Sequence, residues 1–115
     1  MISPNLVQRL LDFRAERDWE QFHNLRTLST SIVLETAELA EFTQWASDSE
    51  IAEIARSRRA EIAHEIADIA ILLSYLSHDL SIDLEMAVSE KLQLNAVRYP
   101  VAKSKGTVKK YDQLE

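Results

Sequence analysis

Apolar residues recur at helical spacing along most of the chain. Leu6, Leu10 and Phe13 follow Ser3-Pro4 in steps of three and four, which predicts a first helix over about 4–18 with a serine cap and proline in its first turn. The segment from Trp19 to Asn24 holds two aromatics among poor helix formers and reads as an ordered loop. A second helix is predicted over about 26–47 and a third over about 50–79, with Asp48-Ser49 between them. The third is rich in Ala, Ile and Leu and has no internal breaker. Asp83 reads as the N-cap of a fourth helix, which stops before Tyr99-Pro100 because a residue preceding proline avoids helical backbone. The fold class is all-α, a small four-helix-bundle protomer. Residues 1–100 form the helical domain, and 101–115, with Lys103, Lys105, Lys109 and Lys110, form a solvated basic tail.

Composition narrows this picture. The chain has 115 residues, the size of one domain. One glycine and two prolines leave little material for the turns of a β-sandwich, and no glycine-rich phosphate loop can be written with them. The absence of cysteine excludes disulfides, thiolate metal sites and thiol nucleophiles. The net charge of −6 disfavours duplex nucleic acid as a partner, because an acidic surface repels a phosphate backbone. No apolar run approaches the roughly 20 residues that span a bilayer. No signal-peptide pattern opens the sequence, so the expected setting is the cytoplasm, with no membrane partner.

The informative residues are acids in apolar company. At helical spacing Glu35 and Glu38 share a stripe with Ile32, Leu39 and Phe42, and Glu65 and Asp68 share one with Ile62, Ile69, Leu72 and Leu76. One such pair is commonplace at the edge of a stripe, with its carboxylates reaching into water. Two pairs on neighbouring helices are harder to explain, because four carboxylates brought together in a partly dry groove need a countercharge. No Lys or Arg shares either stripe, and Arg56, Arg58 and Arg59 are expected to face away. The simplest remedy is one or more divalent cations, and an all-oxygen donor set selects a hard ion, Mg2+ or else Mn2+. His64 points off the stripe and neither pair contains a histidine, which argues against a di-iron oxidase site and leaves it a third reading.

Glu-x-x-Glu at 35–38 followed by Glu-x-x-Asp at 65–68 resembles the metal motif of the MazG-like all-α nucleoside triphosphate pyrophosphohydrolases. Three further segments are similar to signatures of the dCTP pyrophosphatase branch of that family: Glu16-Arg17-Asp18-Trp19-Glu20-Gln21-Phe22-His23, Glu38-Leu39-Ala40-Glu41-Phe42-Thr43-Gln44-Trp45 and Asn95-Ala96-Val97-Arg98-Tyr99-Pro100. The resemblance implies Mg2+-dependent cleavage of a (deoxy)nucleoside triphosphate between its α and β phosphorus atoms, as house-cleaning of the nucleotide pool, with dCTP or a related deoxynucleotide as substrate. It implies that Glu35, Glu38, Glu65 and Asp68 hold the metal. Lys91, Asn95 and Arg98 share one helix face, and in the family residues of that face meet the phosphates or the sugar.

Trp19, His23 and Trp45 are the candidate base pocket, since an indole face stacks on a base and an imidazole can bond its edge. A helix from Glu35 to Trp45 rises about 15 Å, near the length of an extended nucleotide. The chain departs from the family in two places. Leu34 and Ala37 stand where glycines are common, and Leu72 stands where the branch has a tyrosine. Tyr75 lies on the same face and is either its replacement or a core residue. Ile66, Ile71 and Leu73 carry apolar surface around most of the third helix, which predicts a homo-oligomer, a homotetramer built as a dimer of dimers or otherwise a homodimer. The competing reading is a catalytically silent helical oligomer that regulates a partner.

Overall fold

Local sequence explains most of the helix boundaries. The computed structural model describes residues 2–115. Helix α1 spans Pro4–Glu16, and the Ser3 hydroxyl accepts from the Leu6 amide at 3.2 Å. It stops where Asp18 takes a positive φ of 55°, a conformation that aspartate tolerates better than most side chains. After a 3-10 turn at Glu20–Phe22, α2 spans Leu25–Glu41 behind a reciprocal cap between Asn24 and Thr27. A second 3-10 turn, Asp48–Glu50, is capped by Ser47 and leads into α3, Ile51–Ser57. Helix α4 spans Arg59–Asp79 and α5 spans Leu84–Arg98, with the Asp83 carboxylate accepting from the Met86 amide at 3.0 Å. Helix α6, Val101–Ser104, and a 3-10 turn at Tyr111–Gln113 complete the chain. There is no strand among the described residues, so the all-α expectation holds.

Two predicted helices are corrected. The second ends at Glu41 rather than near 47, and Phe42 to Trp45 form turns. The third is not continuous: Arg58, at φ −105° and ψ 21°, separates α3 from α4. No glycine or proline marks that break. The Arg58 side chain pairs with Glu61 and lies over Phe42, so tertiary contact overrides propensity there.

The chain divides into two compact units, one ending at Ser81 and one covering Ile82–Glu115. In the first, α2 packs along α4, and α1 and α3 also lie against α4. Leu28 of α2 and Tyr75 of α4 are its buried hydrophobic residues, at 1% and 4% exposure. In the second, the Tyr99 and Tyr111 rings meet edge to face at 6.1 Å, and the Arg98 guanidinium covers Tyr111 at 4.6 Å. The basic tail is thereby tied to the end of α5. No helix among the described residues is long and apolar enough to cross a membrane.

Candidate metal centre

Helical spacing puts Glu35 and Glu38 on one face of α2, and the packing of α2 on α4 sets Glu65 opposite them. One carboxylate oxygen from each of the three lies within 4.8 Å of the others. Glu35 and Glu65 are half-buried and Glu38 is exposed. Oε2 of Glu35 and Oε2 of Glu65 are shielded from solvent and meet no hydrogen-bond donor. Such orphaned acceptors are costly, the more so in a cluster of one charge sign.

The electrostatics express that cost. Burial first, and then the neighbouring Glu38 and Glu35 carboxylates, together push the Glu65 carboxyl up to about 7. Burial also raises Glu35; its contact with Glu65 works against this, while the charges of Glu38 and Asp68 add to the rise. Asp68, a turn beyond Glu65, is exposed and stands outside the close set, although its field reaches Glu35. A hard divalent cation fits this donor set: the ligands are all carboxylate oxygens, and two of them lack any other partner.

A cleft of about 410 Å3 opens beside the cluster, walled by Glu38, Glu41, Phe42, Arg58 and Glu65. Arg58 corrects the expectation that the arginines before the second acid pair face away. The break between α3 and α4 turns it into the cleft, with its guanidinium carbon 4.9 Å from the Phe42 centroid. Sequence reasoning missed Arg58 and Glu41 as cleft residues. Glu41 was legible, three residues beyond Glu38 on the same helix; Arg58 was not, because its direction depends on an unmarked break.

Each of the other predicted residues has its own surroundings. Trp45 lies beyond the end of α2 and is 90% exposed, so the straight helical rise from Glu35 does not apply to it. Trp19 packs edge to face on Phe13 at 5.7 Å. Tyr75 belongs to the core: it is buried, and its hydroxyl donates to the Leu10 carbonyl at 2.8 Å. That leaves the hydroxyl engaged inside the protein. His23 is half-buried against Tyr75, 5.3 Å between centroids. In the second unit, Lys91 and Asn95 line a cavity of about 390 Å3 with Ala87, Val88 and Leu92, while Arg98 is engaged by Tyr111. His64 is exposed.

Comparison with known proteins gives this arrangement a context. The family model described as MazG-like matches residues 30–114. The mouse (Mus musculus) protein dCTP pyrophosphatase 1 is 44% identical over 111 residues, which are 94% of this chain and 65% of that protein. Its human (Homo sapiens) counterpart is 40% identical with the same coverage. The chain thus spans 65% of the length of these relatives. A pyrophosphatase from Archaeoglobus fulgidus, solved by crystallography, superposes with a TM-score of 0.81 at 37% identity, over 84% of this chain and 90% of that one.

Proposed function

The chain belongs to the MazG-like family, and from that footing we propose that it hydrolyses a (deoxy)nucleoside triphosphate to the monophosphate and pyrophosphate, with Mg2+ held by Glu35, Glu38 and Glu65 and by Asp68 at their margin. The observation that carries this reading is the three-carboxylate cluster with two shielded, unpartnered oxygens. Held by these carboxylates, the ion would supply countercharge for the phosphates and would lower the pKa of water. In the reaction a water oxygen bonds the α-phosphorus, the bond from the α-phosphorus to the bridging oxygen breaks, and pyrophosphate leaves with that oxygen and its electron pair. A carboxylate oxygen of the cluster left free of metal takes the proton of the attacking water. Arg58, on the cleft wall, offers positive charge to the triphosphate.

Trp19, His23 and Trp45 recognise the base, and Lys91, Asn95 and Arg98 meet the phosphates or the sugar. dCTP is the first substrate to test, in keeping with the names of the 44% and 40% identical relatives. The setting is nucleotide-pool house-cleaning in the cytoplasm. The working form is a homotetramer, a reading supported by Val33, Leu34 and Ile66, which lie 66%, 60% and 53% exposed on α2 and α4.

The decisive experiment measures pyrophosphate release from a panel of nucleoside triphosphates with Mg2+, with Mn2+ and after chelation. Metal-dependent release, highest with pyrimidine deoxynucleotides, is expected. No release from any triphosphate with either metal would overturn the enzyme reading in favour of a regulatory oligomer.

A further inference from the structure

Away from the acidic cleft, α1 buries an arginine. Arg14 is 4% exposed and grips Asp79 at the end of α4 with two hydrogen bonds, Nη1 to Oδ2 at 2.9 Å and Nη2 to Oδ1 at 2.5 Å. Its guanidinium carbon lies 4.8 Å from the Tyr75 centroid. Nη1 also sits 3.1 Å from Nδ1 of His23. A guanidinium has donors only and does not deprotonate in proteins. Nδ1 must therefore be the acceptor, because a proton there would set N–H against N–H. A neutral imidazole with a bare Nδ1 carries its proton on Nε2. Among the described residues no group bonds Nε2, and that atom is not one of the shielded ones. It is open to a ligand.

We propose that Arg14, clamped by Asp79, is a positioning residue that locks His23 as the Nε2–H tautomer, so that the imidazole offers a bound nucleotide a hydrogen-bond donor and never an acceptor. The base edge it meets must then present a ring nitrogen or a carbonyl oxygen, and an amino group at that edge is rejected. This rests on the reading that His23 faces the nucleotide. The charged and titratable groups around the ring are Arg14 of α1, Glu20 of the following turn, and Asp79 and Tyr75 of α4. Burial first, and then the Arg14 charge, lower the His23 pKa, against weaker pulls from Asp79 and Glu20. The ring is thus kept neutral, as the lock requires.

Long-range nitrogen NMR of the imidazole in the full wild-type chain reads the tautomer directly and needs no variant. A bare Nδ1 and a protonated Nε2 at neutral pH are expected; a protonated Nδ1 overturns the proposal. Arg14→Met should give a mixed tautomer and raise KM for dCTP roughly three- to tenfold with kcat little changed, the scale of one hydrogen bond. Arg14→Lys, which restores a donor, should recover part of both. An unchanged tautomer in a folded Arg14→Met protein overturns the lock. His23→Phe separates the two layers. If it leaves KM unmoved while hydrolysis persists, His23 does not face the nucleotide and its recognition role fails, whatever the tautomer. If the wild type hydrolyses nothing, the proposed function fails, and the tautomer is still decided by the spectrum.

Discussion

Arg58 lies over the ring of Phe42, 4.9 Å from guanidinium carbon to centroid, and so places a cation on the wall of a cleft whose other charged groups are Glu38, Glu41 and Glu65. The same guanidinium is paired with Glu61, three residues along the chain. Both partners are largely solvated, so the pair adds little to stability. Under the proposed function its use lies in holding the guanidinium ready for a triphosphate, which can outcompete one exposed carboxylate for a bidentate donor. Arg58→Ala should therefore leave thermal stability nearly unchanged and raise KM for the nucleotide about tenfold, with Mg2+ affinity of the free protein unaffected or slightly improved. Steady-state kinetics alongside metal titration by calorimetry checks this. An unaltered KM would confine Arg58 to shaping the junction of α3 and α4.

The carboxylate cluster makes metal-free stability depend on pH. Glu65 titrates at about 7 in the folded chain, against an ordinary value of 4.5. Between those values the folded state holds a proton that the unfolded state has released, so protonation favours folding. Stability from this source is fully present below about 4.5 and falls as pH rises through about 7. In chelator the melting temperature should thus drop between pH 5 and 8, and Glu65→Gln should flatten the drop and raise the value at pH 8. Saturating Mg2+ should offset it, since binding to the folded state adds stability. Differential scanning fluorimetry across pH, with and without metal, reads all three effects. A melting temperature that rises over this range in chelator would contradict the assigned electrostatics.

The four acids separate by position. Glu38 belongs to the close set and Asp68 lies at its margin. Glu38→Gln should abolish turnover and weaken metal binding while helical content is retained. Asp68→Asn should also abolish turnover, yet retain more of the metal affinity. Near-normal pyrophosphate release by either folded variant would displace the proposed site.

What the sequence carried, and what it hid, follows from the range of each interaction. The caps at Ser3 and Asp83 and the stop at Tyr99-Pro100 are local chemistry and were legible. The acid stripes were legible because helical period alone sets which residues share a face, and the structure brings Glu35, Glu38 and Glu65 together. The end of α2 at Glu41 and the break at Arg58 were not, since Phe42 to Trp45 and Ser57-Arg58 contain no glycine or proline, and tertiary packing decides them. Arg14 and Asp79 stand 65 residues apart, and no periodicity links them. Tyr75, open between two readings in sequence, is placed in the core by its hydrogen bond to Leu10.

The apolar surface of the first unit is the ground for testing the proposed oligomer. Among the described residues only Leu28 and Tyr75 are buried hydrophobics, while Val33 and Ile66 stand open on α2 and α4. A protomer with so small a core is marginal alone. Sedimentation at micromolar concentration should show an even-numbered homo-oligomer, with a tetramer expected. Val33→Glu should shift it toward smaller species and lower the melting temperature. A stable wild-type monomer would remove the oligomer from the proposed function.

Trp45 offers the cleanest test of base recognition because it is 90% exposed. Substituting so exposed a side chain, away from caps and buried networks, changes stability by within about 0.5 kcal/mol. Any kinetic effect of Trp45→Ala then reports contact with substrate rather than damage to the fold. Stacking on tryptophan contributes about 1–3 kcal/mol per base. The stacked base is alike in ground and transition states, so the loss should fall on KM, about ten- to a hundredfold, with kcat changed far less. Trp45→Phe, which keeps a smaller aromatic face, should lie between. The turn that carries Trp45 beyond α2 frees it from the helix axis, so the indole can meet a base without a straight path from Glu35. Michaelis constants for all nucleotides that are the same in Trp45→Ala as in the wild type would take Trp45 out of the base site and leave it as exposed apolar surface, available to another subunit.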